Sequence, residues 1–269
     1  MGLPVRGKII PTPTRSKATG GIDYEDKVFQ TLEEATRAMC GVTVLRGASH
    51  TFSNQGHDLT LQVGSRQHGV EVKMDIEAQM GSTSLHYCAN SHEFTVVRSD
   101  LDPHLVALMR IALGEKVEAF ERLFDFLRSE TPTQFHQRTV GGFPMTVHRS
   151  AWARASGSGL LRPTYVMVDH DASLIEHHYA VKGVHYMQIG GSGLFYLGDN
   201  PLDLPVPRLQ GAIRVEIRPA PSGSRYDRAQ RTKVVAVSLR ATARLQCPLT
   251  SPYTLDSVVS AKRALLAAA

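Results

Sequence analysis

The stretch from Gly56 to Lys73, GHDLTLQVGSRQHGVEVK, constrains this chain more than any other. Leu59, Leu61 and Val63 alternate with Asp58, Thr60 and Gln62, the period-two pattern of a half-buried strand. Gly64-Ser65 follows, and a two-residue turn with glycine first suits a type II′ hairpin. Folding there sets Val63 against Arg66, Leu61 against His68 and Asp58 against Glu71. Directly opposed side chains of an antiparallel pair sit about 5 Å apart at Cβ. Glu71 and Lys73 are two apart and share a face. One turn therefore gathers two carboxylates and an ammonium. A carboxylate pair at that spacing can hold a hard divalent cation through oxygen. The ammonium beside it can orient a water or stabilise an oxyanion.

Composition sets broad limits. At 269 residues the chain can bury a real core in one large or two small domains. No apolar run approaches membrane-spanning length, so no membrane partner is expected. Cys40, Cys88 and Cys247 are odd in number and scattered. They read as free thiols of a reducing, cytoplasmic compartment, not as a disulfide or zinc framework. The charge is uneven: residues 1–135 hold 14 Lys+Arg against 17 Asp+Glu, and residues 136–269 hold 16 against 8. An acidic, metal-binding half beside a basic half suits work on a polyanion.

Asp58, twelve residues, and then Glu71-Val72-Lys73 resembles the motif of the PD-(D/E)XK nucleases. That superfamily includes type II restriction endonucleases, archaeal Holliday-junction resolvases and phage exonucleases. The resemblance spans roughly Tyr24 to Arg98, with His57 standing where the motif has proline. Glu25-Asp26-Lys27 repeats the Glu-x-Lys spacing, but without an upstream strand aspartate.

The resemblance implies an α+β protein with a restriction endonuclease-like core, a mixed sheet flanked by helices. The expected core order is helix, three strands, helix, strand. The implied cofactor is Mg²⁺ or Mn²⁺, held by Asp58 and Glu71, and the implied substrate is DNA. Glu25 on the first helix corresponds to a glutamate that reaches the metal in resolvase-like members; equally, it suits a first-turn acid favoured by the helix dipole. Lys73 corresponds to the family's catalytic lysine. Gln79 corresponds to a residue holding water or the scissile phosphate. Ser49 or Ser53 matches a serine near the site, and Arg46 and His50 are candidate phosphate contacts. Asp75 is a spare acid if the strand runs on, and His57 and His86 are candidate proton shuttles.

Taken in order, residues 1–21, with PTPT and SKATGG, read as a disordered basic arm. Residues 22–130 read as the nuclease core. It opens with a helix capped by Asp23, striped with Val28, Leu32, Ala35 and Met39, and stopped at Gly41. Val42–Arg46 reads as the first strand, residues 77–90 as an ill-defined middle helix and 92–98 as the next strand. A long helical pattern follows from Pro103 to about Arg128, with Gly114 as its break. Residues 131–163 are turn-rich and read as a linker, with Trp152 as a packing anchor.

Residues 164–269 read as a β-rich, basic, nucleic-acid-binding or accessory domain. Within it, PAPSGSRYDRAQRTK reads as a loop between the last two strands. Its Arg225, Arg228, Arg231 and Lys233 suit phosphate contact. His170, His177, His178 and His185 lack the partners of an HNH or zinc site. The leading expectation is a metal-dependent DNA endonuclease of restriction, resolvase or phage type, for which a homodimer is a compatible assembly. The rival is a non-enzymatic, basic nucleic-acid-binding or phage structural protein.

Overall fold

A computed structural model describes residues 17–47, 56–88, 93–97, 101, 103–114, 117–131, 142–143, 145–160, 164–168, 173–229, 231–246 and 250–266. Ser49, His50, Ser53, His170 and most of the expected N-terminal arm lie outside them. The fold is α+β, with a mixed sheet and packed helices. Among the described residues no helix is long and apolar enough to cross a membrane. Cys40 and Cys88 are free thiols.

Helix α1 (Lys17–Thr36) starts before Asp23, so residues 17–21 are helix, not arm. Tyr24 and Lys27 reach Asp256 at 3.2 and 3.4 Å, which fastens the first turns. Once a helix is nucleated, each further residue adds a hydrogen bond at low cost. Val28, Leu32 and Ala35 are fully buried, as the stripe predicts. Gly41, at φ 75°, turns the chain into β1 (Val42–Arg46).

Strands β2 (Leu59–Val63) and β3 (Arg66–Lys73) form the expected hairpin, in the expected register. Val63 opposes Arg66, Leu61 opposes His68 and Leu59 opposes Val70. Leu59, Leu61, Val70 and Val72 bury one face of this sheet against α1. That face sets the register, because a one-residue slip would turn all four leucines and valines toward the other side.

The next segments build a second sheet. It takes β4 (Gly81–Cys88) and β5 (Glu93–Val96) before α2 (Pro103–Gly114) and α3 (Val117–Ser129). The two helices break after Gly114, as the pattern predicts, and their leucines and phenylalanines pack on the second sheet. Two short strands, β6 (Gly142–Phe143) and β7 (Met145–His148), and helix α4 (Arg149–Gly157) follow, then β8 (Thr164–Val168).

Helix α5 (Ser173–Ala180) and β9 (Val184–Ile189) then return to the first sheet, where β9 pairs parallel with β3. Strand β10 (Gly193–Tyr196) completes it in the order β1-β2-β3-β9-β10. Strands β11 (Ala212–Asp227) and β12 (Thr232–Gln246) complete the second, in the order β5-β4-β12-β11-β8, with β6 on β4 and β7 on β12. Helix α6 (Val258–Leu265) packs beside α1.

Several expectations change. The chain does not divide into a core at 22–130 and a later domain at 164–269, because each sheet draws strands from both. The described part of the expected 131–163 linker is structured, since β7 pairs with Val234–Val237 of β12 and α4 follows it. The expected middle helix at 77–90 is largely strand β4, and the strand expected at 92–98 pairs with it in the second sheet. The basic loop is instead the end of a long hairpin. Pro219 and Pro221 do not interrupt it: both keep their register with β12, and among the described residues β8 pairs with β11 up to Ile217. Proline is tolerated in a strand where its missing N–H falls outside the ladder. Trp152 does pack against the core.

Candidate active site

The site forms where β3 meets β9 beneath α5. Gly69 makes that junction possible. A Cβ there would lie 2.4 Å from the Gly183 carbonyl oxygen and 2.9 Å from the His57 ring. His57 bonds Thr60 Oγ1 at 2.6 Å and approaches the Lys182 carbonyl at 3.4 Å. It thus pins β2 to the α5–β9 turn.

Hydrophobic alternation leaves Glu71 and Lys73 on the face opposite α1, beside Met187 and Ile189 of β9. Lys73 Nζ contacts Glu71 Oε1 at 2.5 Å, and both side chains are largely buried. Asp58 Oδ2 accepts the Val72 N–H at 2.8 Å, which ties it across the hairpin to the residue between them. Burial pushes the Glu71 carboxyl up, with Asp58 adding to the shift and Lys73 and Lys182 opposing it. Burial works against the Lys73 charge too, but Glu71, Tyr179 and Asp58 outweigh it and hold the ammonium above the usual lysine range.

Glu25 comes from the first turns of α1. Burial, together with the Asp58 charge, pushes its carboxyl up to about 7, while Lys73 pulls the other way. Its helix is anchored one residue earlier. The fully buried Gln188 of β9 donates to Tyr24 Oη at 3.0 Å and to Thr254 Oγ1 at 3.0 Å, and accepts the Leu255 N–H at 2.8 Å. Tyr24 in turn donates to Asp256. This network fixes where α1 presents Glu25.

The structure thus brings Asp58, Glu71 and Lys73 together, with Glu25 in electrostatic reach. Among the described residues, no three His, Cys, Asp or Glu side chains gather as a metal-holding group. A cation there would rest on the Asp58–Glu71 pair, with Glu25 acting at longer range. Gln79 is exposed on the turn after β3 and takes no part in the contacts around Lys73. Asp75 lies beyond the end of β3, and His86 is exposed on the second sheet. Arg46 is engaged by Asp26 at 2.6 Å and lies 4.1 Å over the Phe29 ring. Arg225, Arg228, Arg231 and Lys233 are exposed around the tip of the β11–β12 hairpin.

Two site residues lie outside the motif. Tyr179 of α5 is buried against Lys73, which hydrogen-bonds its phenol, and donates to the Met80 carbonyl at 3.3 Å. Burial raises its pKa, with Lys73 opposing. Lys182 Nζ lies 5.1 Å from the Tyr179 ring centroid, and its charge reaches Glu71. Nothing in a short motif marks them; the only cue is an apolar-aromatic helix before a strand.

A cleft of about 310 Å³ lies along another face of α5, lined by Ser173, Glu176, His177, His185 and Asp199. Arg208 grips Glu176 there with two hydrogen bonds, 2.9 and 2.7 Å. No family model matches the chain, and neither does any curated protein or solved structure.

Proposed function

We propose that the chain is a divalent-metal-dependent nuclease of the PD-(D/E)XK kind, acting on DNA as an endonuclease. The β2–β3 register carries this reading, because it places Asp58 beside the buried Glu71–Lys73 pair. The connectivity supports it. Helix α1, three antiparallel strands, helix α5 and the parallel strand β9 follow the order the resemblance implies, with the second sheet inserted between β3 and α5.

An all-oxygen donor set suits Mg²⁺ or Mn²⁺. Asp58 and Glu71 would hold the ion; the Glu25 carboxyl, raised first by burial and then by the Asp58 charge, would be relieved of the second by a cation. Such an ion, when bound, lowers the pKa of a water and stabilises charge on the phosphate. Lys73 stays protonated near neutral pH, so it serves as a fixed cation toward a phosphate oxygen and not as a base. Tyr179 holds that ammonium in place. Glu25, a carboxylate beside the Asp58–Glu71 pair, is the group suited to take the proton of the attacking water.

The test is cleavage of plasmid, single-stranded and branched DNA with Mg²⁺, Mn²⁺ or EDTA. Asp58→Asn should cut at least about 100-fold more slowly while still binding DNA, because the ion supplies both activation and charge stabilisation. Lys73→Met should cut as poorly with metal affinity largely kept. A wild-type protein that cuts none of these substrates would leave the rival reading. The closed Lys73–Glu71 pair would then be a structural ion pair in a basic nucleic-acid-binding or structural protein.

A further inference from the structure

The long β11–β12 hairpin has a construction that the catalytic site does not require. Its strands run over Ala212–Asp227 and Thr232–Gln246. Among the described strands, β8 leaves it at Ile217 and β7 leaves it at Val234. The tip carries Arg225, Arg228, Arg231 and Lys233 against the carboxylate of Asp227, and all four cations are exposed. Tyr226 is 58% exposed and sits directly across from Lys233. An aromatic left this open beside a cation gains little from the fold itself.

The outer edge is unsuited to adding a protein strand. Pro219 and Pro221 remove donors along it, and a bulge between Ser222 and Ser224, with Gly223 at φ 66°, breaks its register. Beyond β7 the hairpin ends in a short two-stranded tip, Tyr226–Asp227 against Thr232–Lys233, with a cationic, aromatic end. A ribbon of that kind fits the major groove of duplex DNA.

Its other end abuts the site. The Met80 N–H donates to the Ala243 carbonyl at 2.9 Å, and the Met80 carbonyl accepts from Tyr179, which touches Lys73. From Ala243 to Thr232 the strand contour is about 35 Å, close to one turn of B-DNA at about 34–36 Å.

We infer that the β11–β12 tip is a duplex-reading arm: it docks in a groove of double-stranded DNA on the order of one helical turn from the Lys73 site. This deepens the nuclease reading and rests on it only for the position of the cut. The arm anchors the duplex by phosphate contacts from Arg225, Arg228, Arg231 and Lys233, with Tyr226 against the groove wall. Duplex is the assigned partner, because a ribbon needs a groove.

The test is fluorescence anisotropy with a 30-base-pair duplex and the matching single strand, in EDTA, across a salt series. The variant combines Arg225→Ala, Arg228→Ala, Arg231→Ala and Lys233→Ala; Tyr226→Ala is measured alone. These positions are exposed, and a thermal melt checks that each variant folds. The fourfold variant should bind duplex at least about tenfold more weakly, and its slope of log affinity against log salt should be shallower by about 3. Tyr226→Ala should weaken duplex binding severalfold with the slope unchanged. Single-strand affinity should change less than duplex affinity in both.

Equal losses on duplex and single strand, or an unchanged duplex affinity and slope, would overturn the arm. Cleavage separates the two ideas. A wild type that binds through the arm yet never cuts with Mg²⁺ or Mn²⁺ removes the nuclease reading and leaves the arm. A wild type that cuts, with a fourfold variant of unaltered kcat/KM on duplex, removes the arm and leaves the nuclease.

Discussion

Glu25 is the residue whose behaviour separates a poised site from an inert ion pair. Its carboxyl titrates near 7 in the folded protein against an ordinary value of 4.5. A raised folded pKa means that the native state holds the proton more tightly than the unfolded chain does. The associated stability is complete below about pH 4.5 and is lost as pH rises to about 7, where the loss levels off. The full shift is worth roughly 3 kcal/mol, and partial solvent exposure brings that to about 2 kcal/mol. Glu25→Gln should therefore be more stable than wild type at pH 8, and the two should converge near pH 4. Urea melts across that range, without divalent ions, measure it. A wild-type-minus-variant difference that does not change with pH would mean that Glu25 is not strained by Asp58 and burial. The same substitution should slow cleavage, since glutamine cannot take a proton.

At the scale of elements, the hairpin was legible because its information is local. Alternation, a Gly-Ser turn and the motif lie within 18 residues, and the register of Leu59, Leu61, Val63 and their partners is as the pattern requires. Helix α5 and strand β9 were not legible as core elements. About a hundred residues separate Lys73 from Ser173, and no local period announces that β9 will lie parallel to β3. The nearest sequence available for the missing helix and strand is 77–98, where β4 and β5 instead belong to another sheet. Prolines mislead as well: Pro219 and Pro221 look like loop breakers, yet β11 runs through both in register with Leu239 and Val237 of β12. The element joint itself can be tested at Gly69, whose hydrogen faces the Gly183 carbonyl. Gly69→Val would force β9 away from β3 and should cost about 3 kcal/mol or more, as overpacking of a tight contact does. Activity should fall further than stability explains, since Tyr179 and Lys182 reach the site through α5 and its turn. A variant with wild-type stability and activity would show that the β3–β9 contact is slack.

For the whole molecule, the decisive feature is that the two sheets interlock along the chain. The first sheet needs β9 and β10 from the later half, and the second needs β4 and β5 from the earlier half. Each half alone would leave open strand edges and apolar faces with no cover. The uneven charge of the sequence is real, but it maps onto surfaces and not onto separable domains. Expressed separately, residues 1–135 and 136–269 should therefore lack cooperative thermal unfolding and should aggregate, because neither can close a core. Mixed during refolding, the two fragments should recover a cooperative transition, since the missing strands are then supplied in trans. Circular dichroism melts and gel filtration read both outcomes. A lone 136–269 fragment that melts cooperatively as a monomer would mean that the second sheet folds without β4 and β5, and that the division expected from sequence describes folding units after all.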